Sequence, residues 1–256
     1  MTGVALWLLV VGLCDLGRAD GDLTGRVRRR AVTSAGVAVM VVLAVLSDPQ
    51  GRGCWGWILA TLAVAVWVPA STAALALGQV QRPGLALQHG RWRFAAAYGA
   101  FLAGLLVTIL CGPAMGSPAF VERLVGASVL AGLDSSRLLV VVAVAVAQLA
   151  TANILVRLLL DLVGVPAHDN EKRLRGGRVL GPMERLLVVG LGAAGNLTGA
   201  SLVIAAKALL RFPELRAPRA GEAAHGGPSD VTEYFLVGSL ASWSVALAGV
   251  GLVALA

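Results

Sequence analysis

Polar positions in this 256-residue chain gather in short clusters, and long apolar runs separate them. A helix that crosses a bilayer needs about 20 mostly apolar residues, at a rise of about 1.5 Å each. Seven runs are candidates: roughly 3–16, 31–47, 54–78, 94–113, 137–163, 184–208 and 233–256. The first two are short. An eighth piece, 119–133, is interrupted by Glu122 and Arg123 and reads as interfacial or re-entrant. The pattern predicts an all-α fold, a polytopic transmembrane helix bundle of about seven spans, six to eight in all. It divides after residue 165 into an N-terminal transmembrane helical region, 1–165, and a C-terminal region, 166–256. The second is a charged loop followed by a transmembrane helical hairpin formed by the last two runs.

Composition supports the pattern. The chain is 57% hydrophobic and only 14% charged, against about 25% charged in soluble domains, and its mean hydropathy is +0.81. The net charge of +7 changes the picture little. The basic residues sit in short loops between apolar runs, as the positive-inside rule expects, and no soluble basic domain is left to offer a groove to DNA or RNA. The partner expected is therefore the lipid bilayer and not nucleic acid, with a protein partner or a second copy as a further option.

The loops 17–30, 79–93 and 164–183 hold twelve Lys and Arg, and the alternate loops hold six. This bias predicts the N-terminus outside and the C-terminus cytoplasmic. The loop 211–232 resists that assignment, because Arg211, Arg216 and Arg219 would lie outside. No Lys or Arg precedes the apolar stretch 4–13, so it reads as a retained first helix rather than a signal peptide. Trp55, Trp57 and Trp92 fall at run ends, where indole rings anchor at the headgroup level. Pro69 lies inside the third run and removes a backbone donor there.

Candidate chemistry is sparse. Cys14, Cys54 and Cys111 are isolated and read as packed thiols. Gly190, Gly192 and Gly195 spell a dinucleotide fingerprint, but no second strand follows, so they read as a small-residue face with Gly195 and Gly199 one helical turn apart. Asp15, Asp20 and Asp22 read as a solvated loop neutralised by neighbouring Arg. His168, Asp169 and Glu171 lie in a charged loop without a second ligand cluster. No cofactor, metal site or catalytic set is expected.

The internal polar residues are more informative. Asn153, Arg157 and Asp161 recur every four residues, on one helical face, with Gln148 deeper in the same run. Ionisable groups within a span are costly and default to a functional hypothesis. Lys207 and Arg211 end the sixth run and Glu233 starts the seventh, which predicts a pairing of Lys207 or Arg211 with Glu233. Glu184 and Arg185 mark the opposite end of the sixth run.

The segment Gly177 to Arg185, the run Ala205-Ala206-Lys207 with Arg211-Phe212, and the stretch Glu233-Tyr234 to Leu240 together resemble the C-terminal signature of a bacterial membrane family known as domain of unknown function 3307. The resemblance covers residues 176–245, with Ala208 and Ser239 departing from the family's Ser and Thr. It implies a bacterial membrane protein and assigns no activity. It also implies that Glu184, Arg185, Lys207, Arg211, Glu233 and Tyr234 form one unit. The function expected is a non-enzymatic multi-pass bundle, transport-like or serving as a membrane partner. The alternative is a membrane-embedded enzyme acting on lipid head groups at the cytoplasmic interface.

Overall fold

The computed structural model describes residues 1–18, 25–49, 51–78, 83–126, 134–163, 177–216 and 230–256. Every regular element among them is helical: α1 (Thr2–Gly17), α2 (Arg26–Leu46), α3 (Arg52–Gly78), α4 (Pro83–Cys111), a 3-10 turn (Gly112–Ala114), α5 (Ala119–Gly126), α6 (Ser135–Leu149), α7 (Thr151–Val163), α8 (Gly177–Ala193), α9 (Leu197–Arg216) and α10 (Asp230–Ala254). Four stretches are long and apolar enough to cross a membrane: Arg26–Leu46, Arg52–Gly78, Gly90–Ala114 and Glu233–Ala254. The pair α6 and α7, bent by 44° at a short break, makes a fifth if the two are counted as one span. That is fewer than the seven expected, for reasons that differ from run to run.

The first run is real but short. Helix α1 has 16 residues, and it is the most deeply enclosed element. Val4, Ala5, Trp7 and Val11 are fully buried, because α1 lies along α6 and also touches α2, α3, α4 and α7. Trp7 and Trp67 both lean on Phe101 of α4, with ring centroids 5.4 and 5.3 Å away. Trp57 is buried too, donating its indole N–H to Met115 O at 2.8 Å. It belongs to the core, whereas Trp55 and Trp92 stay exposed as headgroup anchors would be. The run 94–113 begins earlier than its apolar pattern, since α4 opens at Pro83. Of 119–133 only the short α5 is described.

The sixth run, 184–208, is not one span. It is two antiparallel helices, α8 and α9, folded back at Gly195-Asn196. Gly195 takes φ +78°. Its N–H bonds to Gly192 O at 3.0 Å, and the Asn196 N–H reaches back to Leu191 O at 2.8 Å, the paired bonds of a Schellman stop. Asn196 then starts the next helix, its side-chain oxygen accepting the Gly199 N–H at 2.8 Å. The three glycines of the apparent dinucleotide fingerprint therefore end a helix, and Gly195 and Gly199 do not share a helix face. Gly192 serves close packing, because a Cβ there would collide with Val250 of α10.

Helix ends sort into two sets. Gly3 lies against Met115, Gly53 against Ala114 and Gly116 against Ser47, and Arg137 reaches Ala193 O. These contacts gather the starts of α1, α3 and α6, the ends of α2 and α4, and the α8–α9 turn. Asp134 caps α6 at this end, and the backbone and hydroxyl of Ser136 donating to its carboxylate hold it below the usual range. At the other end Arg28 donates to Gly17 O, Gly78 abuts Asp161, and Gly90 abuts Leu77. Since Arg185 meets Ser242 and Gly192 meets Val250, α8 and α10 run in the same direction. The end of α9 and the start of α10 therefore also face this second end.

The hairpin thus brings the helix ends that flank 217–229 to the same side as the helix ends that flank 19–24, 79–82 and 164–176. By sequence, the segments 17–30, 79–93, 164–183 and 211–232 hold fifteen of the 21 Lys and Arg, against three (Arg52, Arg123 and Arg137) in the segments between the opposite helix ends. The exception in the charge pattern disappears. It arose from counting two helices as one.

Candidate functional site

The decisive local feature is the break between α6 and α7. Helix α6 stops at Leu149 and α7 begins at Thr151, with Ala150 between them at φ −121° and ψ −60°. Neither Gly nor Pro stands there, so local sequence does not impose the break. Side chains from other helices hold it, one buried cluster on each flank.

On the first flank, Thr151 donates its hydroxyl to Asp15 Oδ2 at 2.7 Å. Asp15 lies in the last turn of α1, 1% exposed. Arg18, three residues on, pairs with Asp15 Oδ1 through Nη2 at 2.5 Å and through Nε at 3.0 Å. The rest of the guanidinium donates to Val68 O, Thr72 Oγ1 and Ser71 Oγ at 2.8–3.0 Å. All five donors of Arg18 are used. Trp67 Nε1 bridges both carboxylate oxygens at 3.1 Å. Asp15 is therefore no solvated loop acid. It is an enclosed carboxylate that ties α1, α3 and α7 together, while Asp20 and Asp22 lie outside the described residues.

On the second flank, the Gln148 carbonyl accepts from Arg185 of α8, through Nη2 at 2.9 Å and Nε at 3.3 Å. Arg185, 3% exposed, also donates to Asn153 Oδ1 at 2.5 Å and to Ser242 Oγ at 3.0 Å. The Gln148 amide nitrogen donates to Val245 O at 3.0 Å. Ser242 and Val245 sit near the middle of the span Glu233–Ala254, so this cluster lies at mid-depth of the bundle. A helix break frees carbonyls that must be satisfied internally where water is absent, and Arg185 does this for Gln148.

The structure redistributes the polar residues singled out in the sequence. Asn153 and Arg185 come together. Along Asn153, Arg157 and Asp161 each step of four turns the face by about 40°; Asn153 meets Arg185 of α8, and Asp161 lies against Gly78 of α3. Arg157, Asp161 and Tyr234 are all engaged, and Tyr234 packs on Leu160. Lys207 pairs with Glu184, not with Glu233. Antiparallel packing about the turn at 195–196 brings residues 184 and 207 level, whereas Glu233 stands exposed near the start of α10. Arg211 lies on α9, with its side chain outside those described. The loop 166–176, with His168, Asp169 and Glu171, is likewise outside. Among the described residues no three His, Cys, Asp or Glu gather as metal ligands.

Charge reversal tests the corrected pair. Lys207→Glu should lower the yield of folded protein in detergent, because two carboxylates then meet in a half-buried site. Adding Glu184→Lys should restore much of the yield, and Glu233→Lys should not. Recovery with the Glu233 change instead would refute the hairpin register.

Beside the break lies a cavity of about 550 Å³, within the range of small-molecule sites. Its walls come from α4 (Tyr98, Phe101), α7 (Leu155) and α10 (Leu240, Ala248), and Gln148 and Thr151 line it at the break. Tyr98 secures one wall by donating to Leu155 O at 2.7 Å.

No family model, curated protein or solved structure is matched by the chain. The resemblance of residues 176–245 accordingly rests on its three sequence blocks alone.

Proposed function

We propose that this chain is a multi-pass protein of the bacterial cell membrane, a non-enzymatic, transport-like bundle that works through the α6–α7 break. The observation that carries the reading is a discontinuous helix at mid-depth, held by buried side chains and opening onto a cavity. Membrane transporters place their sites in this way, where irregular backbone lines a cavity at the repeat or bundle interface. Buried ionisable residues at such depth are costly and mark pathways or gates. The fifteen-to-three charge bias by sequence supports a cytoplasmic basic end under the positive-inside rule. Both termini then lie outside, which revises the cytoplasmic C-terminus expected from seven spans.

The enzyme alternative needs carboxylates open to a headgroup. Asp15 does not fit that need, since both its oxygens are taken by Arg18, Trp67 and Thr151.

Access to the break is the test. In a chain with Cys14, Cys54 and Cys111 replaced by Ala, an Ala150→Cys substitution places one thiol at the break. A membrane-impermeant maleimide should label it from either side of sealed vesicles, more slowly than a thiol at exposed Trp55. A thiol that reacts from neither side would mean a static bundle and would end the transport-like reading.

A further inference from the structure

Helix α2 opens on a run of like charges. Arg26, Arg28, Arg29 and Arg30 crowd its start, and its first turn holds no acid. At about 100° per residue the four divide between two faces. Arg28 stands on one face and donates to Gly17 O of α1 at 3.0 Å. Arg26, Arg29 and Arg30 share the other, within an arc of about 100°. Arg26 and Arg30 are exposed and Arg29 is half-buried. None of these three makes an ion pair among the described residues. Guanidinium groups that repel one another at such close spacing call for an anion from outside.

The helix that bears the patch says which anion it meets. Helix α2 packs on α1 and α3 and turns apolar side chains outward elsewhere, with Val27, Val41 and Val45 half or more exposed. Around the helix, Val41 lies within about 20° of Arg30, and Val27 and Val45 within about 60°. The basic patch therefore continues directly into an outward apolar strip. The 21 residues Arg26–Leu46 rise about 31 Å, against a hydrocarbon core of about 30 Å. When α2 spans, its first residues stand at the headgroup level and the strip runs below them among the acyl chains. Guanidinium matches phosphate oxygens in pairs, so patch and strip together have the charge and apolar layout of one anionic phospholipid.

We propose that Arg26, Arg29 and Arg30 form a docking surface for the phosphate of an anionic phospholipid in the cytoplasmic leaflet, its acyl chains lying along the outer face of α2. The proposal rests on the membrane reading above and does not involve the α6–α7 break.

Spin-labelled lipids can report it. With the full chain in phosphatidylcholine vesicles, electron spin resonance separates lipid held by the protein from free lipid. Spin-labelled phosphatidylglycerol should be held severalfold more strongly than spin-labelled phosphatidylcholine, and added salt should weaken the preference. The patch can be dispersed without changing the charge of the loop by Arg26→Val with Val27→Arg and Arg30→Ala with Ala31→Arg. All four positions are exposed, so the exchanged chain should fold and keep its orientation, yet lose most of the preference. Arg91→Gln with Arg93→Gln, at the start of α4, should leave the preference in place. No preference in the parent, or the full preference in the exchanged chain, would overturn the site. Equal loss in the Arg91 and Arg93 variant would overturn it in favour of a diffuse field. At matched ionic strength neither inorganic phosphate nor polyglutamate should displace the labelled lipid. Displacement by either would assign the patch to a free anion or to an acidic protein segment instead. Ala150→Cys labelling is scored in phosphatidylcholine alone, so failure here leaves the transport-like reading separately decided.

Discussion

Replacing Asp15 by alanine should destabilise the folded chain by about 3–5 kcal/mol, the usual cost of removing one partner of a buried ion pair. The loss should be large here because, among the described residues, Asp15 is the one counter-ion paired with a guanidinium that is 6% exposed, and because Trp67 and Thr151 lose their acceptor as well. Titration of the protein in mixed micelles with a denaturing detergent, followed by tryptophan emission, measures it. Asp15→Leu combined with Arg18→Leu should recover part of the loss, since an apolar pair leaves no unpaired charge behind. A single variant within about 1 kcal/mol of the parent, the range of a surface pair, would mean that water reaches the cluster.

Arg185→Leu should cost about 3 kcal/mol, through a different route. Hydrogen bonds from a charged donor contribute about 1.5–3 kcal/mol each, and this side chain satisfies the Gln148 carbonyl, Asn153 and Ser242 together. Without it the break keeps an unpaired carbonyl in an apolar setting, so α6 and α7 gain a reason to straighten into one helix. Labelling of Ala150→Cys should therefore fall in the Arg185→Leu background. Arg185→Lys should recover little, because one ammonium cannot span the same acceptors as a planar fork. If Arg185→Leu keeps both the parent stability and the parent labelling, Arg185 does not hold the break.

The broad fold was legible because apolar run length is a direct consequence of bilayer thickness. Helices α2, α3, α4 and α10 follow from that alone. The α8–α9 hairpin was legible too, but on a finer scale. Gly195 followed by Asn196 is a helix stop beside a helix start, and averaging hydropathy over 184–208 conceals two such residues in an apolar stretch. The unplaced Arg residues of 211–219 were a second sign that a crossing had been miscounted.

The break at Ala150 was not legible. No residue in Gln148-Leu149-Ala150-Thr151 disfavours a helix strongly, and the cause lies in Asp15 and Arg185, which are distant in sequence and converge only in the fold. Asp15 itself was partly legible. It stands three residues from Arg18, a spacing that places both on one helical face, yet grouping it with Asp20 and Asp22 made it look like part of a loop. Trp57 was misread for a related reason. Position near a run end fits both an anchor and a core ring, and only Met115 opposite decides between them.

The α8–α9 hairpin returns the end of α9 to the side where α8 begins, and this fixes the register of Glu184 with Lys207 and the depth of Arg185. Single cysteines at positions 22, 195, 222 and 256, in the chain lacking its native thiols, test it directly with an impermeant reagent on sealed vesicles. Positions 22 and 222 should label together from one side, and positions 195 and 256 from the other. Labelling of 222 on the side opposite to 22, with 256 labelling on the same side as 22, would contradict the hairpin and restore a single span through residues 184–208.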